Sequence, residues 1–268
     1  MNTHRIGNDV TMLSDSLEVP GMGHLPVNAF VLHSREPVVV DTGLGLPDRE
    51  FVAALGAVID PASVRWIFLT HPDRDHTGGI FALLEAAPQA RVVTTFLSVG
   101  LMSTERPLPI DRVHLLNPGQ HLDIGDRTLH AFRPPLYDSP ATIGFYDEVS
   151  RSCFSSDCFG APLASAELAS CADARDIPAG DLRAGQLMWA AVDSPWVHNV
   201  DNGRYLATVR SMQELGAESV FSTHLPPAIG LDAPLFQVLA DAPGAAPFVG
   251  PDQAALTAML QGMAPAGH

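Results

Sequence analysis

The stretch THPDRDHTGG, residues 70–79, places two histidines and two aspartates within six positions, from His71 to His76. It closes VRWIFLT (64–70), a short and almost wholly apolar run of the kind expected of a strand covered on both faces. It runs into GGIFALLEAAP (78–88), whose apolar spacing predicts a helix ended near Pro88. In an extended segment residues two apart point the same way, so His71, Asp73 and Asp75 could share a face while His76 points elsewhere. Such a loop can serve two metals, one with His71 and Asp73, the other with Asp75 and His76. Imidazole nitrogen and carboxylate oxygen are ligands for zinc, iron, manganese or nickel. The competing reading is a polar turn in which Asp75 caps a helix starting near Thr77. Four metal-competent side chains at the end of a buried strand favour metal.

Upstream, NAFVLHS (28–34) and PVVVDTG (37–43) read as strands, the second ending at an Asp-Thr-Gly turn. DREFVAALGAVI (48–59) has helical spacing and starts behind Pro47. Downstream, ARVVTTF (90–96) is a further strand, and residues 112–157 turn to short strands and turns, with a hairpin at IGD. Residues 161–192 are alanine-rich and read as two short helices. NGRYLATVRSMQELG (202–216) reads as a helix with a glycine stop, ahead of the strand ESVFST and His224. Strand, loop, helix and strand in this order imply layered α/β packing with ligand residues at strand ends. Two β-rich halves, each closing with helices, suggest a two-sheet sandwich. The expected organisation is one domain over residues 1–268, with an Ala/Pro/Gly-rich tail from about 231 holding one helix at 252–263.

Composition narrows the chemistry. All 15 basic residues are arginines, against 30 acidic ones, so a lysine nucleophile, a Schiff base and a P-loop lysine are excluded. A formal net charge of -15 with no basic run argues against nucleic-acid binding. The N-terminus lacks the apolar core of a signal peptide and no apolar run approaches a membrane span, so the expectation is a soluble, cytoplasmic chain without membrane contact. Cys153, Cys158 and Cys171 show no metal-type pairing and read as small buried thiols.

THPDRDHTGG resembles the H-x-[HED]-x-D-H motif of the metallo-β-lactamase superfamily, and NAFVLHSREPVVVDTG resembles the two strands that precede it there, with Asp41 in its usual supporting place. The resemblance implies an α/β, αββα four-layer sandwich (the metallo-β-lactamase fold) and a dinuclear metal site. A third ligand is then expected at Asp138 in PPLYDSP, sixty-two residues after His76. A bridging aspartate is expected at Asp157 in FSSDCFG, and a last histidine at His224 in FSTHLPP. Within the superfamily the chain looks most like flavodiiron and related oxygen-binding di-iron proteins. The carboxylate at the second motif position, the D-x-F-G around Asp157 and the spacing from third ligand to bridge carry that likeness. Two positions depart from the flavodiiron pattern. Asp73 stands where those proteins have glutamate, and Asp138 stands where they have histidine, leaving neighbouring Tyr137 as the alternative third ligand. No flavodoxin-like segment is visible, so the resemblance implies a separate electron donor, and flavodiiron relatives pair head to tail as homodimers.

The resemblance implies metal sites of His71, Asp73 and Asp138, and of Asp75, His76 and His224, bridged by Asp157. Four aspartates then balance two divalent ions while the three histidines stay neutral. Hydrolysis needs uncompensated metal charge, which lowers the pKa of bound water from 15.7 towards about 7. Extra carboxylates oppose that effect and favour hard, oxygen-loving ions and higher oxidation states. The expectation is two metal ions, iron favoured over zinc or manganese, in an oxidoreductase acting on O2. A hydrolase of a small ester, lactone, thioester or phosphoester, with Asp75 orienting a bridging hydroxide, uses the same residues. A non-catalytic oxygen or metal sensor is the third class. Among further candidates, Tyr137 could donate a proton or hydrogen bond, although ordinary packing explains it as well. His24, in the loop GMGHLP, could overhang the pocket as a proton donor. His198 and Trp196 could line the substrate side. His114, His121 and His130 read as surface residues, and alternation turns Cys158 away from the site.

Overall fold

The computed structural model describes residues 1–46 and 50–263, so the helix start expected behind Pro47 lies outside the described residues. The first sheet runs in chain order: β1 (Asn2–Ile6), β2 (Val10–Val19), β3 (Gly23–Leu32), β4 (Val38–Val40), β5 (Trp66–Phe68), β6 (Arg91–Thr94) and β7 (Val113–Leu115). Strands β1 to β4 pair antiparallel, whereas β4 to β7 pair parallel. Parallel neighbours need crossovers, and helices supply them. They are α1 (Phe51–Gly56) after β4, α2 (Arg74–Thr77) and α3 (Ile80–Ala86) after β5, and α4 (Phe96–Met102) after β6.

The second sheet has the order β13-β12-β11-β10-β9-β8. Its strands are β8 (His121–Asp123), β9 (Thr128–Phe132), β10 (Gly144–Asp147), β11 (Ser152–Phe154), β12 (Ser219–Phe221) and β13 (Ala228–Ile229). Helices α5 (Ala166–Ala169), α6 (Ala179–Asp193) and α7 (Asn202–Gln213) lie between β11 and β12, and α8 (Asp232–Asp241) and α9 (Gln253–Met263) follow β13.

Strand alternation builds the layers. Val38, Val40, Phe68, Val93, Phe154 and Phe221 form the core between the sheets, where the Phe145 and Phe154 rings stack with centroids 4.5 Å apart. Their neighbours Val39, Ile67, Leu69 and Val92 turn the other way and pack with Leu55 and Leu83 of α1 and α3. Cys153 and Val220 likewise pack with Leu182, Val209 and Leu235 of α6, α7 and α8. Both faces of each central strand are thus buried, as the apolar run at 64–70 required. The architecture is the αββα sandwich.

Several local expectations change. The strand expected at 28–34 is the end of a ten-residue strand, β3, paired along its whole length with β2. Residues 161–192 contain one short helix and one of fifteen residues, α6, rather than two short ones. The tail holds α8 as well as α9. The motif loop is not extended throughout. Residues 74–77 make one helical turn, with the N–H groups of His76 and Thr77 both donating to the Asp73 carbonyl at 3.0 Å. The alternation argument therefore reaches only from His71 to Asp73; Asp75 and His76 enter the site from a helical turn.

Candidate metal centre

The site lies where the two sheets end together, after β5, β11 and β12. The motif loop is held down by its glycines. A Cβ on Gly78 would lie 2.1 Å from the backbone nitrogen of Gly45, so only glycine lets the turn close on the loop after β4. There Gly78 and Gly79 donate to the carbonyls of Gly43 and Thr42, at 2.9 and 3.1 Å.

Each imidazole of the candidate set is gripped through Nδ1, leaving Nε2 turned inward. His76 Nδ1 lies 2.8 Å from Asp41 Oδ2, and Asp41 also accepts from the Thr70 amide and hydroxyl at 2.8 Å. Asp41 holds this place with φ of 55°, in the left-handed region that aspartate tolerates better than most residues. His71 Nδ1 meets the Ser156 hydroxyl at 3.1 Å. His224 Nδ1 lies 2.7 Å from the Pro26 carbonyl; a carbonyl only accepts, so this ring donates from Nδ1 and turns Nε2 inward. The three Nε2 atoms converge on Asp157, at 3.0 Å from His76, 3.4 Å from His224 and 3.5 Å from His71. Around them stand Asp73 and Asp138, 3.9 and 3.7 Å from His71 Nε2, and Asp75, 3.4 Å from His224 Nε2.

The structure therefore brings all seven candidate ligands together in the overlapping groups His71–Asp73–Asp138, Asp75–His76–His224 and His71–His76–Asp157. The Nε2 atoms of His71 and His76 are buried without a hydrogen-bond partner. His76 Nε2 has Asp157 Oδ1 at 3.0 Å, so His71 Nε2, 3.5 Å or more from the three carboxylates facing it, is the clearer case. A buried nitrogen left bare in this way is costly unless something else takes its lone pair. Asp73 points to the same answer. As the residue before α2 it could cap the helix, yet its side chain makes no cap bond and stands near His71 instead. The donor set fits two cations.

Without a cation, protons and imidazole charge must carry the balance. Burial pushes the Asp73 and Asp138 carboxyls up, and nearby carboxylates add to the effect. Burial and neighbouring His76 push His71 down, while Asp157, Asp41 and Asp75 outweigh burial and raise His76 well above the usual value. Asp157 is held well below the carboxylate range: burial opposes its ionisation, but the three imidazoles outweigh that. A metal entering the cluster would displace the protons held there.

The other candidates, His24 and His198 included, contribute to none of these ligand-capable groups. The Tyr137 ring lies 5.0 Å from the Trp196 ring, with the Arg133 guanidinium 5.1 Å from its centre. It lines a cavity of about 400 Å³ that none of the seven residues lines. His24 bridges its backbone to Leu163 and belongs to none of the ligand-capable groups. His198 also stands outside them. His121 and His130 are exposed and His114 is half-buried against Trp66. Cys158 is buried in the core under the second sheet.

Two residues of α6 reach the site although nothing in the motif pattern points to them. The Trp189 indole donates to the Asp157 carbonyl at 3.1 Å, and its ring packs 4.8 Å from that of His224. A Cβ on Gly160 would meet Trp189 at 2.5 Å, which explains the glycine of D-x-F-G. Asp193, one turn further along, brings a third carboxyl to Asp138 and Asp157. Its carboxyl is pushed up to about 8, first by burial and then by those two neighbours. The two share one helix face at W-x3-D spacing, with an acid at the C-terminal end where the helix dipole disfavours it, but that spacing takes on meaning only through the packing of α6 over Asp157. A second cavity, about 390 Å³, opens beside the motif loop and touches the cluster through Asp73.

Fold and cluster together define a metallo-β-lactamase-fold protein with a carboxylate-rich cluster of metal-competent side chains. The chain belongs to the ODP family of beta lactamases, whose model matches residues 25–179. It is 29% identical over 131 residues to the flavo-diiron protein FprA2 of Clostridium acetobutylicum, covering 47% of this chain and 32% of that protein. It is 26% identical over 131 residues to the anaerobic nitric oxide reductase flavorubredoxin of Pectobacterium atrosepticum, covering 48% of this chain and 26% of that one. The chain thus matches a third or less of the length of these curated relatives. Among solved structures, rubredoxin oxygen:oxidoreductase from Desulfovibrio gigas superposes with a TM-score of 0.77 at 19% identity, over 90% of this chain and 61% of that one. The fold is shared with these flavodiiron proteins. Among the described residues, no helix is long and apolar enough to cross a membrane.

Proposed function

We propose that this chain is the catalytic portion of a di-iron oxidoreductase that reduces a small oxidant, O2 or nitric oxide. His71, Asp73 and Asp138 would hold one iron and Asp75, His76 and His224 the other, with Asp157 between them. Two iron ions held there would supply the redox chemistry. The observation that carries the reading is the convergence of three outer-anchored imidazoles on Asp157. Among the described residues the aspartates of the set form ion pairs only with histidines.

The protein's own part is to fix donors and balance charge. Asp41, Ser156 and the Pro26 carbonyl set the ring orientations, a recurrent way of making imidazole a better ligand. Trp189 braces the backbone at Asp157. Four aspartates neutralise two divalent ions, which suppresses activation of water for hydrolysis and favours harder, oxidised ions. Electrons come from a redox donor. Protein loaded with ferrous iron under argon and supplied with a reductant is expected to consume O2 or nitric oxide in an iron-dependent way. Ester or lactone turnover by zinc-loaded protein, with no consumption of either gas by the iron form, would overturn the reading.

A further inference from the structure

We propose that Asp193 is a further carboxylate ligand of the metal centre, on the His71 side, and that it biases that position towards iron or manganese over zinc. The proposal rests on the reading of the cluster as a metal centre and adds a residue from α6, outside every motif position. Asp138, Asp157 and Asp193 each offer an oxygen, and these lie within 4.8 Å of one another. Three carboxylates that close need a cation or protons between them. Among the described residues no arginine pairs with Asp138 or Asp157.

The independent pointer is His71. Its side chain is 1% exposed, and Nε2 has no hydrogen-bond partner while lying 3.7 Å from Asp138 and 3.5 Å from Asp157. A bare imidazole nitrogen beside Asp138 and Asp157, two of the three clustered carboxylates, adds a nitrogen donor to an oxygen set of the kind that hard transition-metal ions prefer. Asp193 is also fixed there, not merely nearby. Gln186 donates to the Phe159 carbonyl at 3.1 Å and Trp189 to the Asp157 carbonyl at 3.1 Å, so α6 is tied at two points to the loop that carries Asp157. The Ser194 hydroxyl donates to Asp193 Oδ2 at 3.0 Å and orients the carboxylate. Asp193 ends a fifteen-residue helix, where the helix dipole opposes a carboxylate that lacks a cation.

With Asp193 the shell holds five carboxylates and three neutral imidazoles. Two divalent ions would leave it with one net negative charge; one trivalent and one divalent ion would leave it neutral. The fifth carboxylate therefore favours ions that reach the trivalent state, which zinc does not.

The test is equilibrium dialysis of wild type and Asp193→Asn against ferrous iron alone, zinc alone and an equal mixture under argon, repeated after oxidation by ferricyanide so that iron reaches the trivalent state, with metals counted per chain. Wild type is expected to take up two ions and to favour iron relative to Asp193→Asn. The variant is expected to keep one ion, lose affinity for the other by about tenfold or more, and shift its uptake towards zinc. Asp193→Ser reads the same quantity if the amide variant does not fold, and Asp193→Glu is expected to restore part of the lost affinity. Two ions at wild-type affinity and wild-type selectivity in the folded Asn or Ser variant would overturn the Asp193 assignment alone. Wild-type protein that takes up no metal would overturn this assignment and the metal-centre reading together.

Discussion

Asp147 and Asp157 lie at opposite ends of the β10–β11 hairpin, both almost fully buried, and the protein treats them in opposite ways. Asp147 accepts from Arg127 at 3.0 Å, from the Ser150 hydroxyl at 2.6 Å and from the Val149 amide at 3.0 Å. Arg127 reaches Asp9 as well, at 3.0 Å. That carboxylate has its cation built into the chain. Asp157 pairs with no arginine among the described residues: it faces three imidazoles and, through them, further aspartates. A buried carboxylate without a cation is expensive, and the usual remedies are a paired side chain, a proton or a metal. Arg127 supplies the balancing charge at Asp147 from within the chain; the lack of an arginine paired with Asp157 among the described residues supports the proposed cation there.

The comparison can be broken at either end. The largest effect is expected from Asp157→Ala, which removes the carboxylate common to all three imidazoles: metal content should fall from two ions per chain to one or none, by elemental analysis. Two retained ions would refute the bridging role. At the other end, Asp147→Asn is expected to destabilise the fold by about 3 kcal/mol in chemical denaturation, because Arg127 loses a fully buried partner. Its metal content should stay at the wild-type value. A fall in bound metal without a fall in stability would mean that the two ends are not separate devices. The smallest change is expected from Asp138→His, which removes one negative charge and adds a softer donor. Zinc affinity should rise about tenfold in competition with iron. An unchanged preference would remove the charge argument for iron.

Much of this was legible because the two sheets bury their central strands on both faces. Apolar runs such as VRWIFLT can be little else, and a cluster of His and Asp at the end of one must be placed by a loop. The motif residues His71, Asp73, Asp75 and His76 stand out because they crowd the end of one buried strand, whereas Asp138, Asp157 and His224 follow from the resemblance to the superfamily. What escaped has physical reasons. β1 lies at a sheet edge with one side in solvent, so NTHRI carries too few apolar residues to read as a strand. The helical turn at 74–77 is only four residues long, too short for a periodicity, and its N-cap aspartate is diverted to the site. The length of α6 escaped because its buried face, Leu182, Gly185, Gln186, Ala190 and Ala191, makes no clear apolar stripe. Trp189 and Asp193 have meaning only once α6 is laid over Asp157. Tyr137 was read beside Asp138 in sequence, but the ring follows Trp196 and Arg133 to the other cavity.

The central claim is that the carboxylate-rich cluster around Asp157 holds a redox-active metal pair. The most direct measurement is metal content with the visible spectrum of protein purified in air. Two irons per chain with ferric absorption, bleached by a reductant and restored by O2, is the predicted result. Two zinc ions per chain in protein that takes up no iron, with a featureless spectrum and turnover of a simple ester, would contradict it.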